Sequence, residues 1–140
     1  MPEKVIVNYV DHISIAVKDI KKAEKDYQNV FGWEVAGRYI NRDEKIGVSY
    51  FRVGQTCVEL MEDLDGTGEV AKFIAKRGEG VMLISYNVDD AGEALGLLKA
   101  NGAKLIDQEP RLWKERGGKY AFIHPHAVHG VLTEVADGRY

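Results

Sequence analysis

The sequence predicts an α+β fold made of two tandem βαβββ modules. Three observations support this prediction: a repeated strand-to-helix segment, a glycine directly after each predicted helix, and a hairpin pattern later in each half. With 140 residues, 45% of them apolar, the chain is long enough for one domain with a shared core. We expect a single domain over 1–140, with modules at 8–62 and 80–137 and a linker helix within 63–79.

The repeat is clearest where a strand leads into a helix. Residues 12–19 match residues 83–90 position for position, and both segments alternate as strands do. Each segment ends at an aspartate that can cap a following helix. Apolar residues at helical spacing then predict helices over about 20–31 and about 91–101, and a glycine follows each of them.

The remaining strands of the two modules match more loosely. Short strands are predicted directly after the helices, at 33–36 and 103–106. The pattern over 48–61 indicates a β-hairpin, and residues 119–135 play the same part in the second module. A linker helix is predicted at about 69–76, between the two modules.

Strand alternation assigns side chains to two faces of the predicted sheet. Ile13, Ile15 and Val17 form an apolar face that must cover a helix. The repeat places Ile84 and Val88 in the same way. The other face is free to curve around a cleft, and it carries these side chains: His12, Cys57, Glu59, Met61, Ser85, Asn87, Leu132 and Glu134.

Two glutamates occupy equivalent positions of the repeat. Glu59 and Glu134 each lie in a largely apolar strand, where a carboxylate must find a metal ion, a proton or a cation. The plainer interpretation is that both face solvent on a half-exposed sheet and that His12 is a hydrogen-bonded structural histidine. We favour a functional role, because a pseudo-twofold relation would bring positions 12, 59, 83 and 134 toward a common centre.

The composition argues against strongly charged or membrane partners. A net charge of -3 leaves no broad basic surface for nucleic acid or acidic lipid. No apolar stretch is long enough to span a membrane, and the first residues lack the apolar core of a signal peptide. The single cysteine, Cys57, fits a reducing compartment. We expect a cytoplasmic protein that binds neither nucleic acid nor membranes.

The motifs resemble those of the vicinal oxygen chelate (glyoxalase/bleomycin-resistance/dioxygenase) superfamily, and within it those of methylmalonyl-CoA epimerases. The matching segments, which follow the family's order over nearly the whole chain, are 10–17, 54–61, 88–90, 122–125 and 130–134. The resemblance implies that the paired modules form a half-open, barrel-like mixed sheet around a central cleft that holds a divalent metal ion.

The resemblance also implies a ligand set and a reaction. The family's metal ligands fall on His12, Glu59, position 83 and Glu134. The family's reaction is epimerisation at the acidic carbon between a thioester and a carboxylate, which makes Glu59 and Glu134 the expected catalytic carboxylates. Position 83 is leucine, so at most three protein ligands remain, for a weak Co, Mn, Mg, Ni or Zn site or for none.

The sequence departs from the family at two further places, the loop at 112–118 and the position of a base. Relatives can carry a glutamate base in the strand that opens the first hairpin, and this place falls on Val48 or Tyr50. His126 or His129 could replace the missing ligand only from an irregular loop, because residue 129 should point away from the cleft in a strand that runs to Glu134.

A small-molecule ligand, with an acyl-CoA among the candidates, is the expected partner. The residues expected to contact it are Ser14, Met61, Leu83, Ser85, Asn87, Trp113, Tyr120 and Leu132. The plainer interpretation of Trp113 and Tyr120 is an exposed mobile loop. Members of the superfamily often dimerise, so the resemblance also implies a homodimer.

Two functions remain open at this point. The resemblance favours an epimerase-like isomerase that acts by metal-assisted enolisation with a degenerate metal site. The alternative is a non-catalytic member of the same superfamily that sequesters a small molecule, since Met61, Leu83 and Leu132 would suit an apolar ligand. A ring-cleaving dioxygenase and a glyoxalase are disfavoured, because both need a metal ligand that Leu83 cannot supply.

Overall fold

The computed structural model describes residues 2–140, and within that range it contains eight β-strands and three α-helices. In chain order the elements are β1 (Tyr9–Ala16), α1 (Ile20–Phe31), β2 (Gly37–Asn41), β3 (Ile46–Val53), β4 (Thr56–Asp63), α2 (Glu69–Arg77), β5 (Gly80–Asn87), α3 (Ala91–Ala100), β6 (Arg111–Leu112), β7 (Lys119–Ile123), a 3-10 helix (Pro125–Val128) and β8 (Leu132–Ala136). Parallel and antiparallel strand pairs both occur. The predicted α+β class with two βαβββ modules of mixed pairing is confirmed.

The helix boundaries follow from the capping residues that the sequence offers. The side chain of Asp19 accepts a hydrogen bond from the backbone N–H of Lys22, and Asp90 accepts one from Glu93. These bonds satisfy donors that have no partner inside the first helical turn. Gly32 ends α1 in the left-handed conformation, with φ 70. Within residues 2–140, no helix has the length and apolar character needed to cross a membrane.

The strand predicted at 33–36 is wrong in its bounds, because β2 begins at Gly37 and only the last predicted residue, Ala36, donates its N–H to β3, to Tyr50 O at 2.8 Å. The reason lies in the packing of the preceding residues. Trp33 stacks on Phe31 with ring centroids 4.3 Å apart, and Trp33 and Val35 pack against the core under α1. The segment therefore extends the apolar face of the helix before the chain enters the sheet edge.

The strand predicted at 103–106 is also wrong, because it is reduced to an isolated bridge between Leu105 and Ile123. Backbone hydrogen bonds beside the bridge, from Ile106 N–H to Phe122 O at 3.1 Å and from His124 N–H to Lys104 O at 3.0 Å, hold this segment against β7. The carboxylate of Asp107 accepts a hydrogen bond from the backbone N–H of Phe122 at 2.9 Å. The paired strand at this edge comes later, as the two-residue β6.

The chain divides into two compact units, and the first of them is the central unit, His12–Met82. Its strand order is β2-β3-β4-β1, in which β1 runs parallel to β4 and the other pairs are antiparallel. Phe51 and Leu60 form its core, and Tyr27 and Trp33 pack against them from the helix side. Burial of these large apolar side chains is the main favourable term for this unit.

The terminal unit combines the residues up to Asp11 with Leu83–Tyr140. Its strand order is β5-β8-β7-β6, in which β5 runs parallel to β8. Ala91 and Leu95 of α3 pack on the sheet, and Val5 from the N-terminal segment joins that core. The two units thus repeat one arrangement, a parallel pair of strands extended by antiparallel neighbours.

The two strand faces are those that alternation predicts. In the central unit Val17, Phe51 and Leu60 pack with α1, and in the terminal unit Val88 and Val135 pack with α3. Strand registers place the following side chains on the opposite faces: His12, Ser14, Cys57, Glu59 and Met61 in the central unit, and Leu83, Ser85, Asn87, Leu132 and Glu134 in the terminal unit.

Candidate functional site

The central unit holds a buried group of three polar side chains. Ser14 on β1 lies opposite Glu59 on β4, and its Oγ donates a hydrogen bond to Glu59 Oε1 at 2.9 Å. The Nε2 atom of His12 lies 3.6 Å from the same carboxylate oxygen. Glu59 is only 3% exposed, so its carboxyl group depends on these neighbours or on a bound group for polar contacts. This arrangement positions a carboxylate and an imidazole on one face.

The parallel register between β1 and β4 explains why these side chains meet. His12 pairs with Cys57, and Ser14 pairs with Glu59 one step further along the strands. Because side chains two residues apart share a face, the side chains of both strand pairs project from the side that α1 does not cover. Cys57, which pairs with His12, is buried. Met61, also predicted to line the site, is buried further along the same face.

Tyr50, and not Val48, lies opposite Glu59. Antiparallel pairing of β3 with β4 matches Tyr50 with Glu59 and Val48 with Met61. Of the two residues considered for the place where relatives can carry a base, Tyr50 is therefore the one beside Glu59. The Tyr50 ring lies over Gly37 of the edge strand, where an added Cβ would overlap the ring. Gly37 therefore provides the space that the tyrosine side chain uses.

The terminal unit repeats the serine–glutamate pair with different chemistry around it. Ser85 on β5 lies opposite Glu134 on β8, as Ser14 lies opposite Glu59. Glu134 is 4% exposed and Ser85 is completely buried. The Ser85 Oγ makes no hydrogen bond with any atom of residues 2–140. The position that corresponds to His12 is Leu83, which pairs with Leu132 and is buried.

Asn87, Trp113 and Tyr120 were predicted to contact a ligand. The side chain of Asn87 donates to Asp11 Oδ2 at 2.8 Å. Arg116 binds the same carboxylate through two hydrogen bonds of 2.8 Å, and its guanidinium lies 3.9 Å from the centre of the Trp113 ring. Trp113 and Tyr120 are themselves buried. The exposed mobile loop considered for these two aromatic residues is therefore wrong.

Sequence reasoning missed the pairing of Asp11 with Arg116. The two residues are 105 positions apart, and their side chains are only 3% and 1% exposed. The sequence carries no local signal for such a pair, because neither residue lies in a repeated position. The ion pair fixes the segment around Trp113 to the start of β1, since both belong to the terminal unit.

The histidines near the second hairpin lie on the turn formed by the 3-10 helix. His124 Nδ1 accepts a hydrogen bond from the backbone N–H of His126 at 3.1 Å. Partial burial lowers the pKa of His124 below its usual range, and the charges of Lys104 and His126 add to that effect. His126 and His129 are exposed, and His129 adopts the left-handed conformation with φ 59 at the end of the turn.

The chemistry of the donors fits a divalent cation, although their number is small. Imidazole nitrogen and carboxylate oxygen suit Co, Mn, Ni and Zn, and the atoms of His12 and Glu59 that would bind lie 3.6 Å apart. Glu134, the third predicted ligand, belongs to the terminal unit. Across residues 2–140, no group of three or more His, Cys, Asp or Glu side chains is gathered closely enough to hold a metal ion.

Comparison with known proteins gives consistent matches in sequence. A family model described as Glyoxalase/Bleomycin resistance protein/Dioxygenase superfamily matches residues 11–122. The Bacillus subtilis protein YqjC, described as uncharacterized, is 35% identical over 131 residues, which cover 94% of this chain and 93% of the relative. The ethylmalonyl-CoA/methylmalonyl-CoA epimerase of Cereibacter sphaeroides is 30% identical over 132 residues, which cover 93% and 98%.

Solved structures match over the same length. The crystal structure of methylmalonyl-CoA epimerase from Mycobacterium tuberculosis superposes with a TM-score of 0.91 at 29% identity, covering 100% of this chain and 94% of that one. A methylmalonyl-CoA epimerase in complex with methylmalonyl-CoA and NH4+ gives a TM-score of 0.90 at 27% identity, covering 95% and 96%. These similarities independently support the fold described above.

Proposed function

Since the chain belongs to the Glyoxalase/Bleomycin resistance protein/Dioxygenase superfamily, we propose that it is an epimerase-like isomerase that acts on an acyl-CoA or a similar carbonyl acid. One observation carries the proposal. Glu59 and Glu134 are almost completely buried at equivalent places of the repeat, each opposite a serine. Burial of two carboxyl groups at matching positions lowers the stability of the fold, and this indicates that both have a functional role.

The proposed chemistry is proton transfer at a carbon between a thioester and a carboxylate. Inversion there requires removal of the proton from one side of the carbon and its return on the other. The chain offers Glu59 and Glu134 as the two carboxylates. Ser14 and His12 position Glu59, because the hydroxyl donates to its Oε1 and the imidazole lies 3.6 Å from the same atom.

We extend the proposal to a weak divalent metal site. His12 and Glu59 of the central unit would hold the ion, and the family resemblance names Glu134 as a further ligand. A bound metal ion would polarise the thioester oxygen and so acidify the neighbouring carbon. The readout is Co²⁺ binding by calorimetry, which we expect to weaken at least tenfold in His12→Ala.

An epimerisation assay tests the proposal. One epimer of methylmalonyl-CoA is incubated with the protein and Co²⁺, and the appearance of the other epimer is followed against a protein-free sample. We expect Glu59→Gln and Glu134→Gln each to slow the reaction by roughly 10²–10⁴-fold. Glu34→Gln, a change at an exposed residue of the central unit, serves as the matched control and should leave the rate unchanged. A wild-type rate equal to the protein-free rate would contradict the proposal.

A non-catalytic, ligand-sequestering protein is the second candidate, and the pair of buried Leu83 and half-buried Leu132 favours it. This apolar pair stands where the first module has an imidazole, so the terminal unit offers an apolar surface to a ligand. The same assay separates the two functions, because a sequestering protein would bind methylmalonyl-CoA or a planar apolar compound without converting one epimer into the other.

We also propose that the protein is a homodimer in the cytoplasm, as the sequence and its resemblance imply. Size-exclusion chromatography with light scattering tests the oligomeric state directly. A homodimer would have twice the 15.7 kDa mass of the chain, and a mass of one chain across the working concentration range would contradict the proposal.

A further inference from the structure

The two serines of the repeat differ in their hydrogen bonding. Ser14 and Ser85 are both completely buried, and each lies opposite a glutamate in a parallel strand pair. Ser14 Oγ donates to Glu59 Oε1 at 2.9 Å. Ser85 Oγ has no hydrogen-bond partner among residues 2–140. The same residue type at the same place of the repeat is therefore satisfied in one unit and unsatisfied in the other.

A buried hydroxyl without a partner lowers the stability of a folded protein, because it gives up hydrogen bonds to water and gains none. Alanine would fill nearly the same volume without that penalty. Native structures contain few such groups, and a catalytic role or a partner outside the polypeptide is among the explanations for those that occur. The hydroxyl of Ser85 is thus expected to find its partner outside the polypeptide.

The neighbours of Ser85 indicate what kind of partner fits. On the strand face away from α3, Glu134 lies directly opposite, and Phe122 of β7 lies beyond Glu134 in the next strand. Two residues earlier, the same face carries Leu83 and Leu132. A hydroxyl donor with apolar groups on one side suits an oxygen acceptor that is attached to a short carbon skeleton.

From this contrast we infer that Ser85 is a ligand-binding residue whose hydroxyl donates a hydrogen bond to an acyl oxygen of the bound thioester. The inference rests on the proposed function and adds a specific contact to it. The acceptor is either the thioester carbonyl or the free carboxylate, since both are oxygen acceptors within one acyl group. Ser14 is the matched comparison, because Glu59 already accepts its hydrogen bond.

Calorimetric binding to wild type, Ser85→Ala and Ser14→Ala tests the inference with three probes. These are methylmalonyl-CoA, propionyl-CoA and free CoA. We expect Ser85→Ala to weaken methylmalonyl-CoA binding about tenfold, as the loss of one buried hydrogen bond does, and to leave free CoA binding unchanged. Loss for both acyl probes assigns the contact to the thioester carbonyl. Loss for methylmalonyl-CoA alone assigns it to the carboxylate, and either result supports the inference.

Urea unfolding of the ligand-free protein supplies a second readout. Ser85→Ala should unfold at the same urea concentration as the wild type or at a higher one, because it removes an unsatisfied hydroxyl. Ser14→Ala should unfold at a lower concentration, because it leaves Glu59 with one hydrogen bond fewer. A lower midpoint for Ser85→Ala would show that the hydroxyl is satisfied within the ligand-free protein, and this would overturn the inference.

The binding measurements distinguish failure of the Ser85 contact from failure of the proposed function. If wild type binds methylmalonyl-CoA and Ser85→Ala binds it equally well, the role of Ser85 is wrong while the proposed function stands. If wild type binds neither acyl probe, the proposed function fails and the role of Ser85 fails with it.

Discussion

The serine–glutamate pairs of the two units have the same register and different surroundings. In the central unit Glu59 accepts a hydrogen bond from Ser14 and lies beside His12. In the terminal unit Glu134 lies opposite Ser85, and the histidine is replaced by Leu83. The two glutamates thus occupy equivalent positions in the strands, while the neighbouring residues differ and determine the chemistry of each carboxyl group. Both units share the same strand register, and they differ in the side chains that surround the glutamate.

A second contrast concerns the ion pairs that stabilise the units. In the terminal unit Asp11 and Arg116 are both almost completely buried. In the central unit Glu24 is held by Arg38, whose side chain is 63% exposed. Breaking a buried pair leaves an unpaired charge away from water, whereas an exposed partner can be solvated. The two pairs should therefore differ strongly in their effect on stability.

The largest expected effect is on stability, from loss of the buried pair in the terminal unit. Asp11→Ala and Arg116→Ala should each lower the free energy of unfolding by about 3–5 kcal/mol, measured by urea denaturation. The double variant should lose less than the sum, because removal of one partner already leaves the other unpaired. Asp26→Ala, which breaks an exposed pair with Lys22, is the control and should have no measurable effect. If the stability losses of the two single variants add up in the double variant, the two side chains do not interact, and the prediction is contradicted.

The next largest effect is on Co²⁺ affinity, and it tests the difference between His12 and Leu83. Leu83→His restores the donor that the family resemblance assigns to this position, so Co²⁺ affinity should rise by roughly 10–100-fold. Val81→His on the same strand is the matched control, because Val81 is exposed and lies two residues away. Equal Co²⁺ affinity of the two variants, measured by calorimetry, would mean that position 83 is not a ligand position.

The smallest effect concerns the central unit's pair of buried Glu24 and exposed Arg38. Hydrogen bonds from Arg38 and then from Ser49 hold the pKa of Glu24 below its usual 4.5, against the opposing effect of burial. A pKa lowered by folding stabilises the protein at pH values above the unfolded pKa, and this contribution is lost as the pH falls through the folded value. Glu24→Gln should cost about 1–2 kcal/mol at neutral pH.

The pH dependence of unfolding checks this last prediction. Stability measured from neutral pH down to below 4.5 should fall less steeply in Glu24→Gln than in wild type, because the variant has lost one carboxylate that protonates. Glu34→Gln, at an exposed position, is the control. An identical slope in wild type and Glu24→Gln would show that this carboxylate does not contribute to acid unfolding.

Most of the fold could be predicted because its signals are local. Alternation predicted β1 and β5, and Asp19 with Gly32 predicted both ends of α1. The strand at 33–36 was mispredicted because Trp33 packs on Phe31 instead of pairing. Local patterns describe which residues are apolar, but they do not say whether an apolar residue joins a ladder or extends a helix face.

The candidate site could be predicted only in outline. Alternation and the repeat place Ser14 and Glu59 on one face, and the strand register brings them into contact. The sequence could not choose between Val48 and Tyr50, because residues two positions apart share a strand face and only the pairing register shows which of them lies opposite Glu59. It also could not find the contact of Asp11 with Arg116, which depends on chain segments 105 residues apart.

Hydrogen exchange at the carbon between thioester and carboxylate is the most direct test of the central proposal that buried glutamates transfer a proton. Methylmalonyl-CoA is incubated in D₂O with Co²⁺ and the protein, and the signal of that hydrogen is followed by NMR. The account predicts that wild type speeds its replacement by deuterium well above the protein-free rate, and that Glu59→Gln combined with Glu134→Gln abolishes the acceleration. Exchange at the protein-free rate in wild type, or undiminished exchange in the double variant, would contradict it.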